Sequence, residues 1–120
     1  MARQYEERKE FKMREKFIKA LEDFLEQNKD YIIEVYIKNI DEDYYIEKIY
    51  IPPTREWKSN REKGFKMLWN DNCSSIAFLY DNVNAYCEEI DKHYNQNIYV
   101  ILTNGICINF ECIGFKENRE

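Results

Sequence analysis

NIYVILTNGICINFECIGF, residues 97–115, places two runs rich in Ile, Val and aromatic residues on either side of Asn104-Gly105. This pair is typical of a two-residue hairpin turn, because both loop positions need a positive φ. We therefore predict that Asn97–Thr103 and Ile106–Phe115 pair as a hairpin, with Ile101 opposite Ile108. Both faces of the hairpin are apolar near the turn. The second apolar face predicts a further covering layer, supplied by a helix or by the second subunit of a homodimer.

A second hairpin is predicted upstream. Tyr31–Ile40 and Tyr44–Ile51 are rich in Ile, Val and Tyr, and both approximate a period of two. The acidic run Asp41-Glu42-Asp43 lies between them and suits a short turn. Pro52-Pro53 ends the second strand, because proline has no N–H to contribute to a ladder.

The segment between the hairpins is more polar. Thr54–Gly64 suits a short helical turn that Thr54 caps and Gly64 ends. Phe65, Met67 and Trp69 then alternate with other residues, which predicts a middle strand. Asp71-Asn72 follows as a turn signal.

A first helix is predicted from about Ala2 to Asn28. This segment has no Gly or Pro and is dense in good helix formers. Its apolar stripe follows the helical period and consists of Phe11, Phe17, Ile18, Leu21, Phe24 and Leu25. The stripe thins before Phe11, so we expect the first ten residues to fray or project.

A second helix is predicted over Ser74–Tyr94. The apolar residues of this segment recur at steps of three or four, which favours one amphipathic helix: Ile76, Leu79, Val83, Tyr86, Ile90 and Tyr94. The alternative is a buried strand at Ile76–Tyr80 with a helix that begins after Asp81. Periodicity does not distinguish these two interpretations for a run of five apolar residues.

Together these elements predict a single α+β domain over residues 1–120, in the order α-β-β-β-α-β-β. An antiparallel sheet of two hairpins and a middle strand would pack against two helices. The N-terminus has no secretory pattern, and no apolar run reaches the roughly 20 residues of a membrane span. The four cysteines include no CxxC pair. We therefore expect reduced thiols and a cytoplasmic protein with no membrane partner.

The chemistry of common active sites is missing from the sequence. The chain has one histidine, His93, and it lies six residues from Cys87, which places the two on different faces of a helix. Cys87, His93, Cys107 and Cys112 lack the close ligand pairs of a zinc site. The chain has three glycines and no phosphate-loop, metalloprotease or hydrolase motif. We therefore predict no catalytic residues, no metal, no cofactor and no enzyme activity.

One basic block interrupts an acidic chain with a net charge of −5. Residues 48–66 hold six Lys or Arg against two Asp or Glu. Cations beside aromatic faces suit phosphates, stacked bases or an acidic protein partner. The ordinary interpretation is a solvated loop with core tryptophans. The candidate partner-binding residues of this basic block are Arg55, Trp57, Lys58, Arg61, Lys63, Lys66 and Trp69.

These observations favour a non-enzymatic protein-binding module. Size and composition suggest a small intracellular inhibitor or adaptor of phage or mobile-element type, for example an anti-defence protein that binds and blocks its partner. One alternative is the binding of nucleotides or single-stranded nucleic acid through the basic block, although a pI near 5.1 is unusual for that class. Another is an acidic immunity protein that neutralises a basic toxin.

Overall fold

The computed structural model describes the backbone of residues 2–41 and 47–113, and side chains within these ranges from Lys12 onward. The described chain contains one helix and eight strands. These are α1 (Ala2–Gln27), β1 (Ile33–Asn39), β2 (Glu47–Ile51), β3 (Glu56–Asn60), β4 (Gly64–Trp69), β5 (Ser74–Leu79), β6 (Val83–Ile90), β7 (Gln96–Leu102) and β8 (Ile106–Cys112). A 3-10 turn at Tyr80–Asn82 joins β5 to β6. No helix among these residues is long and apolar enough to cross a membrane.

The strands form two antiparallel sheets. The large sheet has the order β2-β1-β8-β7-β6, and the small sheet has the order β3-β4-β5. The small sheet is inserted in the sequence between the two edge strands of the large one, β2 and β6. The predicted α+β class is therefore confirmed, with all strand pairs of the described chain antiparallel. The predicted single sheet is wrong, because the middle strand β4 pairs with β3 and β5 in a separate sheet and not with the two hairpins.

The core lies between one face of the large sheet, α1 and the small sheet. The predicted apolar stripe of α1 is buried from Phe17 to Leu25, because the 3.6-residue period keeps its members on one face. Phe17 contacts Tyr86 of β6, with ring centroids 5.4 Å apart. Phe65 of the small sheet meets Phe110 of β8 edge to face at 6.3 Å. Helix and small sheet together cover the inner face of the large sheet.

The predicted second helix is wrong. Ser74–Leu79 is strand β5 and Val83–Ile90 is strand β6. The alternative interpretation was right about a strand near Ile76–Tyr80 and wrong about the helix after it. Hydrogen bonding to β4 and β7 outweighs the helical spacing of the apolar residues, a case of tertiary context overriding a local pattern.

The polar segment Thr54–Gly64 also differs from the expectation of a helical turn. It contains β3, whose Trp57 and Ser59 point inward while its neighbours point to solvent. Gly64 begins β4 rather than ending a turn. An ideal Cβ at Gly64 would overlap the carbonyl oxygen of Phe78, so this position accepts only glycine without a backbone shift.

The C-terminal hairpin is confirmed over the described residues, but its predicted register is wrong by one residue. Gly114 and Phe115, the end of its predicted second strand, lie outside the described residues. Ile101 pairs with Cys107, not with Ile108. Gly105 N–H donates to the Leu102 carbonyl at 2.9 Å, and Gly105 has a φ of 86°. This is a three-residue loop with glycine in the left-handed region, the next most common hairpin after the two-residue turn. A one-residue slip moves side chains to the opposite face, so Ile108 and Phe110 point into the core.

Two parts of the predicted first hairpin lie outside the described residues. These are most of the acidic turn, Glu42 and Asp43, and the start of the second strand from Tyr44 to Ile46. The remainder, β1 and β2, pairs as expected, with Val35 opposite Ile49.

Candidate functional site

The seven residues of the basic block do not share one surface. Alternation along β3 and β4 sends Trp57 toward the core and turns Lys58 and Lys66 toward the opposite face. Trp57 stacks on Phe65 with ring centroids 6.4 Å apart. Both tryptophans, Trp57 and Trp69, are partly buried against the core cluster. Both indole rings therefore take part in core packing, and neither stands free on the surface.

Arg55 is held by backbone carbonyls. Its Nη1 donates to the carbonyls of Tyr31 at 2.7 Å and Pro52 at 3.1 Å, and its Nη2 donates to Asn28 at 2.8 Å. Asn28 directly follows α1, so the guanidinium lies where the helix dipole favours a cation. Burial lowers the pKa of Arg55, which nevertheless stays charged at any physiological pH.

Arg61 is also engaged within the chain. Its Nη2 lies 2.7 Å from Oε1 of Glu22 on α1. Burial alone would raise the pKa of Glu22, but hydrogen bonds from Arg61 and Ser59 outweigh it and lower that pKa. The pair fixes the β3–β4 turn to the helix, which leaves Arg61 with a structural partner.

The remaining cations form one surface, which we call the lysine face. It is the outer side of the small sheet, where Lys58 lies directly opposite Lys66 and Ala77 continues the same row. Lys63 borders it from the β3–β4 turn. These residues line a depression of about 430 Å³ together with Gly64 and Leu79.

The floor of the depression is apolar and open. Leu79 is 55% exposed, although large aliphatic side chains are usually buried. Ala77 is also exposed, and Gly64 carries no side chain at all. The lysine face therefore offers a hydrophobic contact surrounded by positive charge.

The lysines of this surface form no ion pair within the described part of the chain. No described carboxylate lies within 4.0 Å of the ammonium groups of Lys58, Lys63 or Lys66. Like charges directly opposite on neighbouring strands destabilise a sheet by a few tenths of a kcal/mol to about 1 kcal/mol.

Sequence reasoning missed the apolar part of this surface. Ala77 and Leu79 were assigned to a helix, so they were not connected with the lysines. The available signal was the alternation of Ser75, Ala77 and Leu79 with Ile76 and Phe78, which follows once the segment is taken as a strand.

A second polar cluster lies on the outer face of the large sheet. Lys48 Nζ lies 2.7 Å from Oε1 of the buried Glu34 and forms an ion pair with it. Burial and the neighbouring Glu34 carboxylate raise the pKa of Tyr36. Asn109 is buried nearby, and its Oδ1 has no hydrogen-bond partner among the described residues. Asn109 borders a small cavity of about 180 Å³ that Tyr36 also lines.

Glu111 lies at one end of this outer face. Its Oε2 accepts a hydrogen bond from Asn95 Nδ2 at 3.1 Å. Burial and the nearby Asp91 raise the pKa of Glu111, whereas hydrogen bonds from the Asn95 and His93 backbone N–H groups lower that of Asp91. Among described residues, no group of three or more His, Cys, Asp or Glu is arranged to hold a metal ion.

Comparison with protein-family models, with curated proteins and with solved structures gave no match to this chain. The function is therefore argued from the chain's own residues.

Proposed function

We propose that this chain is a non-catalytic module that binds an acidic surface of a partner protein through the lysine face. The observation that carries the proposal is the direct opposition of Lys58 and Lys66 beside an uncovered apolar floor. A carboxylate of a partner would relieve the repulsion between the lysines, and an apolar side chain would cover Leu79.

A protein partner suits this surface better than a nucleic acid. Binders of single-stranded nucleic acid stack bases on aromatic side chains, and here Trp57 and Trp69 pack against the core. An apolar floor gains nothing from a phosphate, whereas it gains from a buried aliphatic or aromatic side chain.

The lining of the depression supports a binding role without chemistry. Its described residues include no histidine, cysteine or carboxylate, and its three lysines have no described carboxylate within 4.0 Å that could serve as a base beside them. Together with the size of the chain, this favours a small inhibitor or adaptor that acts by covering a partner's surface. The phage or mobile-element character of such an inhibitor rests on size and composition alone.

The immunity-protein alternative has less support. Such a protein needs acidic groups that are available to a basic partner. Two of the described acids, Glu22 and Glu34, already pair with Arg61 and Lys48 of the same chain.

The experiment that tests the proposal is capture of a partner from extracts of the source cells with two matched double variants. Lys58→Glu/Lys66→Glu reverses the lysine face, and Lys12→Glu/Lys92→Glu makes the same change of charge at exposed positions elsewhere. We expect wild type and control to retain one stoichiometric protein with an acidic surface, and the first variant to bind it at least about tenfold more weakly.

A labelled single-stranded oligodeoxynucleotide is titrated in parallel at low salt. Equal capture by both double variants would contradict the proposal. Tight binding of the oligonucleotide that depends on Lys58 and Lys66 would favour the nucleic-acid alternative instead.

A further inference from the structure

Strand β5 is an edge of the small sheet without the usual protection. Natural proteins discourage unwanted pairing at edges with charges, prolines or bulges. The other three described edge strands carry such features. Strand β2 has Lys48 and is followed by Pro52, and β3 has Glu56 and Lys58. Strand β6 has Glu88, Glu89 and a break in register between Val83 and Ala85. The sequence of β5 is SSIAFL, with no charge and no proline, and its register with β4 is continuous.

The hydrogen-bond pattern defines which groups of β5 face the open edge. Tyr80 N–H donates to the Lys63 carbonyl at 2.9 Å, which makes these two residues a hydrogen-bonded pair. Such pairs alternate along an antiparallel ladder, so Phe78 and Ile76 also bond to β4. The N–H and C=O groups of the intervening residues, among them Ala77, point away from β4.

The residues whose backbone groups face the open edge carry their side chains on the lysine face. The side chains of Ser75, Ala77 and Leu79 lie on the lysine face, because Ala77 pairs with Lys66 and Lys66 pairs with Lys58. β5 pairs with β4 alone within the described chain. A strand added beside β5 would therefore present alternate side chains to the lysines.

We propose that an extended acidic segment of the partner adds to β5 as an antiparallel strand, with its carboxylates on the lysine face. The added strand would lie about 9.6 Å from β4, which is two strand spacings. Extended lysine and glutamate side chains span this distance across Ala77, whose small side chain leaves the path open. The inference rests on the proposed function and specifies its mode of binding.

Charge selects this occupant over a second copy of the chain. Two copies paired through β5 would bring two lysine faces side by side, and each carries Lys58, Lys63 and Lys66. An acidic segment turns the same charges into attraction. Strand addition then gives affinity through the main chain and specificity through alternate side chains.

The test uses an eight-residue peptide of alternating Glu and Val with blocked ends. Glu residues that face the lysines in antiparallel pairing point their own N–H groups at β5, whereas the Val N–H groups point away. N-methylation of every Glu should weaken binding at least about tenfold, and N-methylation of every Val should change it less than about twofold. Equal effects of the two modifications, or no binding of the unmodified peptide in 20 mM salt, would overturn strand addition.

A second measurement uses the chain itself. Ala77→Pro removes one edge-facing N–H and is compatible with an edge strand, and its fold is checked by circular dichroism. We expect the peptide to protect the amides of Ser75, Ala77 and Leu79 from hydrogen exchange in wild type, and the variant to bind at least about tenfold more weakly. Unchanged exchange at these amides, or a dimer of the free chain that Ala77→Pro abolishes, would contradict the inference.

These readouts separate the two proposals. Loss of peptide binding in Lys58→Glu/Lys66→Glu without any sensitivity to N-methylation would leave the lysine face as the binding surface and remove strand addition. If peptide binding is unaffected by Lys58→Glu/Lys66→Glu and by N-methylation, both the lysine face as binding surface and strand addition are excluded.

Discussion

Replacement of Arg55 by methionine tests whether this residue is structural rather than part of the binding surface. The change keeps an apolar stem and removes three hydrogen bonds to the carbonyls of Asn28, Tyr31 and Pro52. At about 1 kcal/mol for each, the free energy of unfolding should fall by roughly 3 kcal/mol. For a chain of 120 residues this corresponds to a fall in Tm of about 10 °C.

Urea denaturation followed by tryptophan fluorescence measures this difference, and the slope m should not change. Lys66→Met is the matched control, since it removes an exposed cation without a described ion-pair partner and should lower the free energy of unfolding by no more than about 0.5 kcal/mol. A loss below about 0.5 kcal/mol for Arg55→Met would refute the structural assignment. Unchanged partner capture by the folded variant is the accompanying expectation.

Three further outcomes are expected. The raised pKa of Glu111 means that the folded state favours its protonated form. The stability of wild type relative to Glu111→Gln should therefore increase as the pH falls from 7 toward 4. Paired urea titrations measure this difference, and a difference that does not change with pH would contradict the expectation. Gly64→Ala should lower the free energy of unfolding by about 1–3 kcal/mol, because the Cβ of alanine would overlap the carbonyl oxygen of Phe78. A thermal melt identical to that of wild type would contradict this overlap. Light scattering at a protein concentration of tens of micromolar tests the homodimer predicted from the two apolar faces of the C-terminal hairpin. A monomeric mass would exclude this homodimer.

The parts of the fold that the sequence predicted well are those with a long, single period. In α1 the stripe from Phe17 to Leu25 repeats over several turns, and no other element has to supply partners for the backbone. The β7–β8 hairpin was found because both strands are adjacent in sequence. Its register was missed because Asn104-Gly105 fits both a two-residue and a three-residue loop.

The parts that failed depend on distant partners. A spacing of three and four residues over Ile76–Tyr94 fits a helix, yet Ile76 and Phe78 also alternate as in a strand. Only pairing with β4 and β7 decides between the two, and no local pattern reports it. β3 was missed because four of its five residues are polar, as suits an edge strand with one open face.

The candidate site shows the same limit. Composition located a basic block but did not show where its side chains point. Arg55 contacts the C-terminal end of α1 and Arg61 contacts Glu22 within α1. Lys58 and Lys66 remain on the open face of the small sheet. Strand alternation explains why the side chains of the basic block divide between two faces. To predict this division, both strands of the β3–β4 hairpin would have to be known.

The position of β8 has a consequence for synthesis on the ribosome. β8 follows every other described strand in sequence, yet it sits in the middle of the large sheet between β1 and β7. A nascent chain that has emerged only as far as β7 has β1 and β7 without their shared neighbour, and about seventy residues separate β1 from the strand that completes it. Since long-range pairing has to wait for both partners, we expect the large sheet to form after residue 112 has left the exit tunnel.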